Sequence, residues 1–261
     1  MRIVSLFVFA AGFMATTLFA QSGDKKPRVY KVGVETQAYF PAYQFTPGGK
    51  NDSASFTILE AFAKSANIKF EYVPLPINRL YLEFFEQKFD FKYPDHPTWK
   101  QELKKGKKIT YSQPVLEYID GLLVHKDDLG RRKLADIKTI GTVMGFTVWD
   151  YLKEVNNGQI KVTESVELSK VLRMVIEKMI NGVYINIAVG DYQMRESLKM
   201  NDVLVFDPSL PHTRSAYLLS TIKYPEVIDE FNKFREKNQG DLDAIGKKYR
   251  TSLDILAPAK K

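Results

Sequence analysis

The sequence predicts an α/β protein in which a parallel sheet is wrapped by helices. Three observations carry this. Strand-like and helix-like segments alternate from Val29 to Phe91, and a second alternating unit follows the long apolar run Tyr118 to Val124. The composition is also that of an ordinary globular chain, with 44% hydrophobic and 26% charged residues in 261. That length suits one large domain or two modest ones, each able to bury its own core.

Val29 to Val34 reads as the first strand. A helix follows, with Asp52 or Ser53 as N-cap and Phe56, Leu59, Ala63 and Ala66 on one face. Phe70 to Val73 is the second strand. Ile77, Leu80, Tyr81, Phe84 and Phe85 fall at i, i+3, i+4, i+7 and i+8, a helical stripe. Phe89-Asp90-Phe91 is a short strand leading into a Pro-rich loop. In the second unit Thr139 to Val143 is a strand and Phe146 to Lys153 opens a helix. Leu168, Val171, Leu172, Val175, Ile176 and Met179 form the strongest helical stripe in the chain. Val183 to Val189 reads as a buried strand ending at Gly190-Asp191, and Val203 to Phe206 as another. The chain returns through Ala216 to Leu219 into two amphipathic helices. The first has Pro225 at N1 and carries Val227, Phe231 and Phe234; the second is marked by Leu242, Ile245 and Tyr249.

Composition excludes several chemistries. With no cysteine there is no thiol nucleophile, Cys-ligated metal, disulfide or lipidated Cys, and three histidines (His96, His125, His212) leave little for a metal centre. No Gly-rich phosphate loop, HExxH, EF-hand or nucleophile-elbow pattern is present, and no cofactor is implied. The net charge of +7 is spread along the chain. Its densest groups, Lys104 to Lys108 and Arg131-Arg132-Lys133, lie in hydrophilic connections and read as solvated loops, not as a nucleic-acid surface. Arg2, the apolar run Ile3 to Ala20 and the polar segment from Gln21 match a secretory signal peptide cleaved near Ala20, the alternative being a transmembrane anchor, and the protein is expected to be exported to the periplasm.

Particular residues then point to a family. They are Val32-Gly33-Val34-Glu35, Pro76-Ile77-Asn78-Arg79-Leu80, Ile109 to Val115 (ITYSQPV), Leu134 to Ile137 running into Gly141-Thr142-Val143, Gly182 to Asp191, and the closing helices from Lys223 to Tyr249. Their order and spacing resemble the type II periplasmic solute-binding proteins, specifically family 3, the polar amino-acid-binding group, over residues 28–254. The resemblance implies two mixed sheets wrapped by helices as two lobes with a two-strand hinge. Lobe 1 is 27–122 plus 212–261 and lobe 2 the inserted 123–211, with crossings near Leu122 to Lys126 and Asp207 to Pro211. A ligand cleft is implied between the lobes, at the carboxyl ends of the strands.

The resemblance makes particular positions candidates. Glu35, ending the first strand, would face the cleft and take a ligand ammonium; the alternative is a solvated strand-end acid. Tyr39, Phe40 or Tyr43 would form an aromatic wall. Asp191 matches the acid that binds a ligand α-amino group, or caps the following helix. The family's Arg for the α-carboxylate is missing from Lys92 to Lys100; Lys100 stands at about its place as a point charge rather than a planar fork, and Trp99 either offers a ring face or packs. Thr147 would bond a carboxylate at a helix N-terminus. Arg79 faces the cleft or pairs with Glu83. The expected function is an exported protein, not an enzyme and a monomer, that captures a small polar, amino-acid-like ligand for the permease of an ABC transporter. The alternatives are an exported enzyme on the same scaffold, resembling cyclohexadienyl or arogenate dehydratases, with Glu35, Asp191 or His96 as general acid, and an orphan or sensory binding domain.

Overall fold

The structure, a computed structural model, describes residues 26–37, 39–46 and 51–253. The expected leader lies outside these. Among the described residues no helix is long and apolar enough to cross a membrane.

The first half is built on β1 (Arg28–Glu35), α1 (Ala54–Ser65), β2 (Ile68–Leu75), α2 (Ile77–Phe85) and β3 (Phe91–Asp95). β1 lies between β2 and β3 and runs parallel to both. Ser53, not Asp52, caps α1 by accepting the Phe56 N–H, while Asp52 takes the Tyr249 hydroxyl. The stripe on α2 buries Leu80, Tyr81 and Phe84, as its spacing dictates. β3 departs from expectation. It begins at Phe91 and runs through Pro94, and all five of its residues are buried. Asp90 is outside the strand because it is held by the Lys31 N–H and the Lys223 ammonium.

The short α3 (Gln101–Lys104) and β4 (Thr110–Tyr111) lead to β5 (Leu116–His125). The second half holds β6 (Thr139–Val143), α4 (Leu152–Asn156), β7 (Lys161–Ser165), α5 (Leu168–Ile176), β8 (Gly182–Asn186), α6 (Ile187–Tyr192) and β9 (Leu204–Phe206). The helix expected from Phe146 is a short 3₁₀ turn at Trp149–Tyr151 followed by α4. The chain ends in β10 (Thr213–Thr221), α7 (Pro225–Lys237) and α8 (Gln239–Lys248).

Hydrogen bonding joins the strands in the order β2-β1-β3-β10-β5-β8-β6-β7, with β4 on β10 and β9 on β5. The path is mixed: the pairs β2–β1, β1–β3, β8–β6 and β6–β7 are parallel, whereas β3–β10, β10–β5 and β5–β8 are antiparallel. β5 and β10 therefore link the two halves. They pair over Leu116–Asp120 and Thr213–Tyr217, earlier in the first crossing strand and later in the second than the sequence reading places the crossings. Tyr118 and Tyr217 stack there with centroids 4.2 Å apart. Gly121 makes room on the opposite side of β5 from Asp120: a Cβ on it would lie 2.4 Å from the Phe206 ring.

The basic segment Lys104 to Lys108 is also corrected in part. Lys104 is buried, with its ammonium 2.7 Å from Asp95 Oδ1 and 2.5 Å from the His96 carbonyl. The long stem of the lysine lets the charge leave its own helix and neutralise a buried acid.

Candidate functional site

A cavity opens between the two halves, enclosing about 530 Å³ including its mouth. Glu35 at the end of β1, Trp99 and Lys100 before α3, and Asp120 on β5 face it. Gly145 to Thr147, after β6, close it from the second half. Gly145 has φ +84°, a conformation open to glycine at little cost, and a Cβ there would meet Ile77 of the first half at 3.7 Å. Aromatic rings make up much of the rest, with Tyr43, Tyr81, Phe146, Trp149 and Tyr217 all lining the space. The loop after β1 reaches across to the second half. The Tyr39 ring sits 5.2 Å from Phe146, Phe40 sits 4.5 Å from Tyr192, and the Asn186 N–H donates to the Tyr39 hydroxyl at 3.2 Å.

Glu35 is 4% exposed and accepts the Tyr43 hydroxyl at 2.7 Å. Burial pushes its carboxyl up, against the opposing effects of the nearby Lys92 ammonium and the Tyr43 hydrogen bond. Lys92 is fully buried. Its ammonium donates to the Pro94 carbonyl at 2.5 Å and lies 3.6 Å from Asp95 and 4.1 Å over the Tyr81 ring. Asp95 is the most heavily bonded acid of the region. Burial acts to raise its carboxyl, but Lys92, Lys104 and the Ser220 hydroxyl at 2.7 Å outweigh that and hold it below the usual range.

Asp120 is different. It stands opposite Thr213 of β10 and Asn186 of β8. Its Oδ1 is sealed from solvent and meets no hydrogen-bond donor among the described residues. Burial, then the charge of Asp150, push this carboxyl up to about 8. Asp150 itself accepts the Tyr184 and Thr213 hydroxyls at 2.7 and 2.8 Å.

Of the residues expected from sequence, Glu35, Tyr43, Trp99, Lys100 and Thr147 line this cavity. Tyr39 is buried behind it, holding Asn186. Arg79 and Asp191 lie outside its lining. Arg79 donates to Glu83 at 2.6 Å from a side chain 66% exposed. Asp191 sits in α6, not at a strand end, with its side chain 45% exposed and bonded to Arg195 at 3.2 Å. The physical reason is that β8 stops at Asn186, whose side chain accepts the N–H groups of Ala188 and Val189 and starts the helix five residues earlier than expected. The expected helix N-terminus at Thr147 is a 3₁₀ turn starting at Trp149. His96 bonds Thr98 and Ser215 and does not line the cavity.

Asp120, Tyr81, Tyr217 and the Lys92–Asp95 pair are absent from the sequence expectation. For Asp120 a signal existed, because it is the one charge in the run Tyr118 to Val124. Among the described residues no group of three or more His, Cys, Asp or Glu is placed to hold a metal.

No protein-family model and no curated protein sequence matches the chain. Solved structures do. One is an amino-acid ABC transporter substrate-binding protein of Streptococcus pneumoniae bound to L-arginine, 14% identical, with TM-score 0.65, covering 85% of this chain and 94% of that one. Another is an ancestral amino-acid-binding protein, a precursor of cyclohexadienyl dehydratase, 19% identical, with TM-score 0.65, covering 85% and 94%. A third is a histidine kinase sensor domain with similarity to periplasmic binding proteins, 16% identical, with TM-score 0.68, covering 86% and 96%. At these identities the likeness establishes the fold: the chain has the two-lobed architecture of type II periplasmic binding proteins.

Proposed function

We propose that this protein is an exported solute-binding protein that encloses a small polar, amine-bearing ligand between two lobes and presents it to the permease of an ABC-type transporter. The observation that carries this is the cavity between the halves, which pairs two acids, Glu35 and Asp120, with a wall of aromatic rings and one lining cation, Lys100. Acids beside ring faces suit an ammonium, which gains charge pairing and cation–π contact together. The lobes divide where β5 pairs β10, over Leu116–Asp120 and Thr213–Tyr217, and these two strands act as the hinge. A ligand that touches both lobes stabilises the closed state, which is the signal a permease reads. The protein works as a monomer in the periplasm.

A thermal-shift panel on protein unfolded and refolded to strip any carried ligand tests this reading. The expected result is stabilisation by amines or amino acids, about 2.7 kcal/mol at a hundred times the dissociation constant. Stabilisation by sugars or carboxylates alone refutes it. A second reading, an enzyme on the same scaffold, draws on the dehydratase precursor with the same fold and on a carboxyl in the cavity held in its protonated form near neutral pH. Turnover of a hit compound decides between the two.

A further inference from the structure

Two carboxylates face the cavity in opposite circumstances. Glu35 has a hydroxyl donor in Tyr43 and an ammonium in Lys92. In that cluster two buried lysines, Lys92 and Lys104, stand against two buried acids, Asp95 and Glu35, so its charge is balanced from within. Asp120 has no such balance. Its neighbours in register are already committed. Asn186 uses its side chain on Ala188, Val189 and the Tyr217 hydroxyl, and Thr213 donates to Asp150. Four phenols feel the charge of Asp120, namely Tyr118 on its own strand, Tyr184 on β8, Tyr217 on β10 and Tyr39 from the loop after β1, and the one charged group acting on Asp120 among the described residues is the acid Asp150. All four phenols are held neutral by burial. Lys100 faces the same cavity from the start of α3.

We infer that Asp120, rather than Glu35, is the seat of the ligand's ammonium group, and that the ligand is a protonated primary or secondary amine. The inference rests on the cavity being an amine site, as proposed above, and names the residue and the ligand class. Asp120 lines the cavity with one oxygen sealed and unbonded and with no ammonium beside it, so its carboxylate is short of both donor and positive charge, and an N–H-bearing ammonium in the cavity supplies both to the carboxylate. A quaternary ammonium supplies charge alone and gives the carboxylate no donor. Among the described residues no arginine lines the cavity, so none offers a planar clamp for an α-carboxylate there. Because the empty site holds Asp120 protonated below about pH 8, an incoming ammonium ionises it and one proton leaves for solvent. Affinity for a permanently protonated amine therefore rises as pH increases toward 8.

Calorimetric titration of the refolded protein with butylamine and butane-1,4-diamine, and with tetramethylammonium as the probe without N–H, tests this in buffers of different ionisation enthalpy. The expected result is that the amines bind with release of close to one proton at pH 7, with affinity climbing up to about tenfold per pH unit below pH 7. Tetramethylammonium should bind at least about tenfold more weakly. Asp120→Asn should weaken the amines by at least about tenfold and abolish the proton release, while melting no lower than the parent protein. Glu35→Gln should weaken them less and leave the proton release in place. Amine binding that survives Asp120→Asn, or proton release that persists in it, overturns the assignment and leaves the amine site standing. Failure of every amine to bind overturns the amine site itself.

Discussion

Asp95 and Asp120 are both acids on central strands, and the molecule treats them in opposite ways. Asp95 is met by two ammonium groups, the Ser220 and Tyr81 hydroxyls and the His96 N–H, and its carboxyl stays ionised. Asp120 lines a cavity, one of its oxygens is sealed without a partner among the described residues, and its carboxyl takes up a proton. A buried acid whose needs are met by its own fold is architecture. One whose needs are left open at a cavity points outward, to whatever fills the cavity. The first kind is expensive to remove, and the second is expensive to keep.

The largest effect expected from this contrast is at Asp95. Asp95→Ala leaves Lys92 and Lys104 buried without their partner and should destabilise the fold by about 3–5 kcal/mol, measured by urea denaturation. A loss under about 1 kcal/mol would show that the two lysines find water or other partners instead.

The next effect has the opposite sign. Asp120 binds a proton in the folded state that the unfolded chain has already released between about pH 4 and pH 8. Its raised value therefore costs the empty protein stability as pH climbs through that window. Asp120→Asn should stabilise the ligand-free protein by about 1–3 kcal/mol near pH 8, with the gain vanishing near pH 4, as thermal melts across pH will show. A gain independent of pH would break the link to ionisation. Stability gained at the expense of binding is the pattern expected of a functional residue.

A smaller effect belongs to the acid between these extremes. Tyr43→Phe removes a hydroxyl donor to Glu35 and should cost about 1.5–3 kcal/mol at alkaline pH, where the carboxylate is the form that loses its donor. The same denaturation series at pH 4 should show a smaller loss. The smallest effects lie on the surface. Arg79→Ala and Asp191→Ala each break an i,i+4 ion pair and should change stability by no more than about 0.5 kcal/mol. A larger loss at either residue would give it a role beyond its surface pair.

Much of the fold was legible from residue order. The stripe on α2 packs as its spacing requires, and the one on α5 buries Leu168, Val171, Leu172 and Val175, although the helix stops at Ile176 and leaves Met179, the last residue of the expected stripe, outside it and exposed. Pro225 opens α7 where its fixed φ fits. These features are local, so periodicity reports them. Elements that lacked a period were misplaced. β3 is covered on both faces, so Lys92 and Asp95 could not be told from loop residues by alternation. Apolarity places the end of β8 too late, because Ile187, Ala188 and Val189 are as apolar as the strand and the Asn186 cap within the run outweighs their hydrophobicity.

The sequence by itself determined the α/β class and the alternation of the elements, because both follow from local hydrophobic periodicity. Glu35, Tyr43, Trp99, Lys100 and Thr147, which line the cavity, are indicated by the resemblance to periplasmic binding proteins. Only the tertiary structure decided which acid is neutralised and which is left open. That outcome depends on partners far apart in the chain: Ser220 lies 125 positions from Asp95, while Thr213, which stands opposite Asp120, turns its hydroxyl to Asp150 instead. Hydrogen-bond satisfaction and burial are properties of three-dimensional neighbourhoods, and an isolated aspartate in an apolar run carries no record of them until the strands have paired.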